Sequence, residues 1–150
     1  MAFDVSQTGI TYGGLQPGQD SGTLSTSTDL IAQGNVGLDE DLYGDTMCTN
    51  WTGFDSCDAG GVNTATEIAI NNQKAGTSTV AYSSLYAYTM TASTTPLEVL
   101  IGVKKTVATS TQETKYTWWG INVPSSITLA GDYTGRNVIT AKTSNSAFWY

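Results

Sequence analysis

The chain has 150 residues, a size suited to one domain with a sizeable core. Only 13% of its residues are charged, while 39 are Ser or Thr, and the supply of aromatic and β-branched side chains excludes a purely disordered chain. The net charge of −7 is lopsided: residues 1–73 hold ten Asp/Glu and no Lys/Arg (−10) and residues 74–150 three Asp/Glu and six Lys/Arg (+3), so a basic face for nucleic acid is excluded.

Period-two alternation dominates, and no long stretch carries a helical 3-4 pattern. "AFDVS" (2–6) and "ITYGG" (10–14) read as strands. "QPGQ" (16–19) reads as a type II turn, with Pro17 presetting φ. "TLSTSTDLIA" (23–32) alternates with Leu24 and Leu30 on one side. "QGNVG" (33–37) is a corner. "VGLDEDLYG" (36–44) sets Val36, Leu38 and Leu42 against Asp39, Asp41 and Tyr43, leaving Glu40 on the apolar side. "TEIAI" (66–70), "TVAYS" (79–83) and "LYAYTM" (85–90) follow. "LEVLIGV" (97–103) shows Leu97, Val99, Ile101 and Val103 on one face. "KYTWWGINV" (115–123) turns Trp119 and Trp118 to opposite faces, and "NVITA" (137–141) completes the strands. Pro17, Pro96 and Pro124 all fall at strand ends. Many short strands so punctuated predict an all-β, two-sheet Greek-key sandwich of immunoglobulin-like type, one domain over 1–150. The expected core is Leu24, Leu30, Val36, Leu38, Leu42, Ile68, Ile70, Val99, Ile101, Val103, Trp119, Ile121, Val123, Tyr133 and Ile139.

The longest irregular stretch, 44–66, contains the only two cysteines, Cys48 and Cys57. With eight residues between them, no further cysteine and no histidine, they cannot form a zinc site or a Cys/His nucleophile. Two readings remain: a local disulfide in an oxidising compartment, which is favoured, or free thiols in a reducing one. Within the loop, Trp51 and Phe54 either face out as a binding pair or fold back over the sandwich end. "NWT" makes Asn50 a glycosylation acceptor where the machinery exists.

Asp39, Asp41, Asp45, Asp55 and Asp58 are the candidate calcium ligands, although their spacing does not fit an EF-hand and a solvated acidic surface is the favoured reading. Apart from calcium no cofactor is implied. Tyr82, Tyr86 and Tyr88 share strand parity and form a candidate sugar-stacking platform, against plain cross-strand packing on a half-exposed sheet. With no histidine to serve as a base near neutral pH, the chain reads as non-catalytic. A lysine–asparagine cross-link starting from an early strand is excluded, because no lysine precedes Lys74. Tyr133 sits where a tyrosine corner would place a hydroxyl against upstream backbone. "NSAFWY" (145–150) ends on three aromatics that form either an internal strand or an insertion into a neighbouring copy.

"GNVGLDEDLYGDTM" (34–47), "INNQK" (70–74), "WWGINVPSS" (118–126) and "AGDYTGRNVITA" (130–141) together resemble the Ig-like β-sandwich modules of exported surface proteins of bacteria and archaea. The resemblance spans roughly 30–142, rests on short structural motifs, and is broken by the insertion at 48–57. It implies an extracellular scaffold or adhesion role. The expected partners are then other surface modules or copies of itself, with glycans as the alternative, and neither nucleic acid nor membrane insertion. No basic-then-apolar segment precedes the polar start "MAFDVSQTG", so the chain reads as either cytosolic or a mature region after export; the Ser/Thr-rich, Lys-poor composition favours the second, with Met1 as an added start residue.

Overall fold

A computed structural model of the chain describes residues 2–57, 61–92, 95–107 and 111–145. The alternating runs become antiparallel strands: β1 (Phe3–Asp4), β2 (Thr26–Ala32), β3 (Leu38–Gly44), β4 (Met47–Cys48), β5 (Glu67–Ile68), β6 (Gln73–Gly76), β7 (Tyr88–Thr89), β8 (Leu97–Val103), β9 (Thr114–Ile121) and β10 (Asn137–Thr143). Among the described residues the architecture is all-β, with one short 3-10 turn at Ile70–Asn72. One sheet runs β1-β2-β9-β6-β7, a second runs β10-β3-β8, and β4 with β5 forms a small ribbon.

The two larger sheets face each other over one core. Leu30 and Ala32 of β2, Ala75 of β6 and Trp119 of β9 meet Leu38 and Leu42 of β3, Val99, Ile101 and Val103 of β8, and Ala141 of β10. This is period-two burial at work: each strand sends alternate side chains inward and pairs its backbone sideways. A smaller cluster, Ile68, Ile121, Val123 and Ile127, closes one end of the sandwich, with Tyr12, Leu15, Met47 and Tyr133 packed on it. Of the expected core, Val36, Ile70, Tyr133 and Ile139 are only partly buried, while Met90 and several alanines are additional members.

The acidic first half and the basic second half interleave. β3 lies between β10 and β8, and Lys142 of β10 reaches Asp41 of β3 at 3.2 Å and Glu98 of β8 at 2.7 Å. Local pairing therefore absorbs part of the charge asymmetry. The register of β3 on β8 shifts between Leu38 and Glu40. At that bulge Gly102 takes φ +63°, a conformation other residues rarely adopt, and its N–H donates to Asp39 Oδ1 at 2.8 Å.

Residues 5–25 run as a strap rather than a strand. The amides of Ser6 (2.8 Å) and Gln7 (3.0 Å) and the Ser6 hydroxyl all donate to the Asp29 carboxylate. Burial alone would push Asp29 up, but those hydrogen bonds together hold its carboxyl below the usual value. Further along, Gly18 N donates to Val123 O and Ser21 N to Ile121 O, both at 2.8 Å. "TVAYS" contributes only an isolated bridge, Thr23 to Ala81. "LYAYTM" shortens to β7 because Ala87 N closes a turn on Ser84 O. At the opposite end, the 33–37 corner receives both flanks of the described chain: Gln33 N donates to Ala2 O, and Ser144 N to Gly37 O, each at 2.9 Å. Residues 146–150, with the three terminal aromatics, lie outside the described residues. Among the described residues no helix is long and apolar enough to cross a membrane.

Candidate functional site

Cys48 and Cys57 form a disulfide with their Cα atoms 5.8 Å apart. Cys48 is anchored in turn: its N–H donates to Thr134 O at 3.1 Å and its carbonyl accepts from Thr134 N at 3.0 Å. The loop between the cysteines is pulled onto the sandwich by one carboxylate. Asp45 Oδ2 accepts from Trp51 Nε1 at 3.0 Å and from Asp55 N at 2.9 Å. Phe54 stands edge-on to Tyr43 with centroids 6.0 Å apart, and the Arg136 guanidinium lies 4.8 Å over its ring. Both loop aromatics are thus half-buried and folded back. Nothing in the sequence pointed to Asp45 as the residue that organises this loop. The side chain of Asn50 is at an exposed position.

The acidic residues do not converge. Asp39 binds the β8 bulge, Asp41 pairs with Lys142, and Asp45 organises the loop. Asp55 is exposed and bonds to Asp45 through its backbone. Asp58 lies outside the described residues. Among the described residues no group of three or more His, Cys, Asp or Glu side chains is placed to hold a metal ion.

The tyrosines separate as well. Tyr82 is packed down: its hydroxyl donates to Asn72 O at 2.9 Å, while Lys74 Nζ donates to Tyr82 O at 2.8 Å and sits 4.6 Å from the ring centroid. Two glycines in the sheet beneath let Tyr82 and the Tyr86 backbone approach this closely. A Cβ at Gly120 would lie 2.6 Å from Leu24 Cδ2 and 3.3 Å from Tyr82, and one at Gly76 would lie 2.8 Å from Tyr86 O. Tyr86 and Tyr88 are exposed, Tyr86 at 69%. The more regular aromatic pair is Tyr116 and Trp118 on the outer face of β9. Their rings are 6.2 Å apart and tilted by 47°, and Tyr116 is 47% exposed. Strand parity foretells this face, since Trp119 must point inward.

Beside the disulfide, the strap at 10–17 and the loop at 127–135 enclose a cleft of about 850 Å³. Ile68, Ile121 and Val123 form its floor, and half-buried Ile10, Leu15, Met47 and Tyr133 its walls. Tyr133 fixes the outer wall as a tyrosine corner would, its hydroxyl donating to Leu129 O at 2.7 Å. Tyr12 fixes the inner one by donating to Gln73 Oε1 at 3.0 Å, and burial pushes its hydroxyl up, which keeps it a neutral donor.

Glu40 sets a carboxyl between the two sheets. Fully buried on the inward face of β3, it accepts from Thr117 Oγ1 at 2.5 Å, and its other oxygen has no hydrogen-bond partner. Burial pushes its pKa to about 7, helped by nearby Asp39 and Asp29 and opposed by the Thr117 bond. Parity placed Glu40 among apolar side chains, but its complete enclosure follows only from packing of the second sheet.

Comparison with protein-family models, with curated proteins and with solved structures gives no match to this chain.

Proposed function

We propose that this chain is a non-catalytic structural or adhesive module, Ig-like in type, of an exported cell-surface protein or extracellular filament. The observation that carries this reading is the Cys48–Cys57 disulfide at the end of the sandwich, a bond that persists in oxidising compartments and is rare in reducing ones. Its support is the way the molecule uses its polar groups: Asp29, Asp39 and Asp45 each bind backbone or indole N–H groups that hold segments in place. The work of such a module is presentation, in which a stiff sandwich displays its loops and edges to other surface modules or to copies of itself. The test is thiol labelling of the chain in fractions of its native host, denatured before and after reduction. The expected result is a cell-surface chain whose two thiols label only after reduction. A cytosolic chain with both thiols free overturns the proposal.

A second reading, a carbohydrate-binding module, is favoured by the Tyr116–Trp118 pair on an open sheet face, where a pyranose ring can stack. A glycan array probed with the wild type, Tyr116→Ala and Trp51→Ala separates the two. Signal lost in Tyr116→Ala alone supports sugar binding on this face; no signal at high protein concentration removes it.

A further inference from the structure

We propose that a second cavity, between the strap and the sandwich, binds a small uncharged molecule that carries an acceptor oxygen on a compact apolar body. The cavity measures about 330 Å³, at the lower end of the roughly 300–1,000 Å³ of ligand sites, so it suits a single ring or a short branched chain. Val5, Thr8, Ile10 and Tyr12 of the strap close one side. Thr28 of β2, Gln73 of β6 and Ile139 of β10 line the other. The strap is tied down at both ends of this stretch. Ser6 and Gln7 donate to Asp29, and Thr26 Oγ1 donates to Thr11 O at 2.9 Å.

The anchor for a ligand is the Gln73 side-chain amide. Gln73 is only 2% exposed. Its Oε1 accepts from the Tyr12 hydroxyl at 3.0 Å and from Asn137 Nδ2 at 2.9 Å, which uses both lone pairs. Among the described residues nothing accepts from its Nε2. A nearly buried amide donor has given up water and needs a replacement, and an oxygen held in the cavity supplies one. Asn137 Oδ1 also lacks a partner, but it is packed against Gly44 and closed to solvent, so it is not offered to a ligand.

Charge and shape narrow the class. Among the described residues no carboxylate lines the cavity. Arg136, its one charged lining residue, holds its guanidinium over the ring of Phe54, which is not part of the lining. A charged ligand would leave water for a site without a counter-charge. Val5, Ile10, Met47 and Ile139 offer apolar contact to the rest of the molecule. The Gln73 NH2 takes a carbonyl oxygen, as of a ketone, an ester or a tertiary amide, and rejects a group that can only donate.

This site does not depend on export or on either function proposed above. Its test is a titration of the isotope-labelled full chain at pH 7, followed by NMR at the Gln73 side-chain amide. Three ligands share one ring: cyclohexanone, cyclohexylammonium and cyclohexanecarboxylate. Cyclohexanone is expected to shift the Gln73 amide along a saturating curve, with through-space contacts from its ring protons to the methyls of Ile139 and Met47. The two charged ligands should bind at least about tenfold more weakly. Gln73→Met keeps the side-chain length and loses the donor, so it should weaken cyclohexanone binding at least about tenfold. Should that variant fail to fold, the three wild-type titrations decide alone. A Gln73 amide that does not respond up to about 50 mM cyclohexanone leaves the cavity to water and overturns the proposal. So does cyclohexylammonium binding as tightly as the ketone, or a folded Gln73→Met that binds the ketone like the wild type.

Discussion

Replacing Glu40 by Gln tests how the sandwich tolerates a carboxyl between its sheets. Folding raises the Glu40 pKa from an ordinary 4.5 to about 7, so the folded state holds this proton more tightly than the unfolded chain. Stability from this group is fully present below about pH 4.5 and is lost as pH rises to about 7. The difference of about 2.5 units, at 1.36 kcal/mol each, amounts to about 3 kcal/mol. No histidine exists to titrate in the same window. Urea unfolding followed by tryptophan fluorescence should show the wild-type midpoint falling between about pH 5 and pH 8, with an unchanged m-value. Glu40→Gln should be nearly flat over that range. The variant carries its own penalty, since its amide nitrogen takes the place of an oxygen with no hydrogen-bond partner, so the slope rather than the absolute midpoint is diagnostic. A wild type of constant stability across the window, or a Glu40→Gln variant with the wild-type decline, would refute the reasoning.

Cys48→Ser/Cys57→Ser should cost roughly 2–3 kcal/mol from loop entropy and make 49–56 the first site of limited proteolysis. Gly76→Ala should cost about 1–3 kcal/mol, read as a lower urea midpoint, because its Cβ would meet the Tyr86 carbonyl, which is backbone and cannot swing away. Asp29→Asn should weaken the strap: its carboxyl is held low, so the stabilisation is present at neutral pH and lost as pH falls through the folded value. The variant should show faster amide exchange at Ser6 and Gln7 at pH 7 and a smaller difference from wild type in acid.

The long alternating runs were legible because their inward faces are mostly apolar. In β3, β8 and β9, inward residues are apolar over most of the strand, and a one-residue slip would bury Asp41 or Glu98. Elimination of other cysteine chemistry left a disulfide or two free thiols, and the Ser/Thr-rich composition favoured the disulfide that forms. Short segments were not. "ITYGG" and "TVAYS" have strand composition, but their backbones bond to loops and edges that lie far along the chain. Tyr82, Tyr86 and Tyr88 share a parity that means nothing once a turn intervenes at 84–87. The cleft was invisible because its lining comes from five separate stretches, each ordinary when taken alone. Asp45 carries no local signal that would distinguish it from its acidic neighbours.

Ala2 and Ser144 are both hydrogen-bonded to the single corner at 33–37. Tension applied between those two residues would run through that corner and never traverse the sandwich. The short β1 pairing and the end of β10 would peel open one bond at a time, while the disulfide-bonded loop, the cleft and the Trp119 core carried no load. Under such a load the far pole of the sandwich would be shielded from strain.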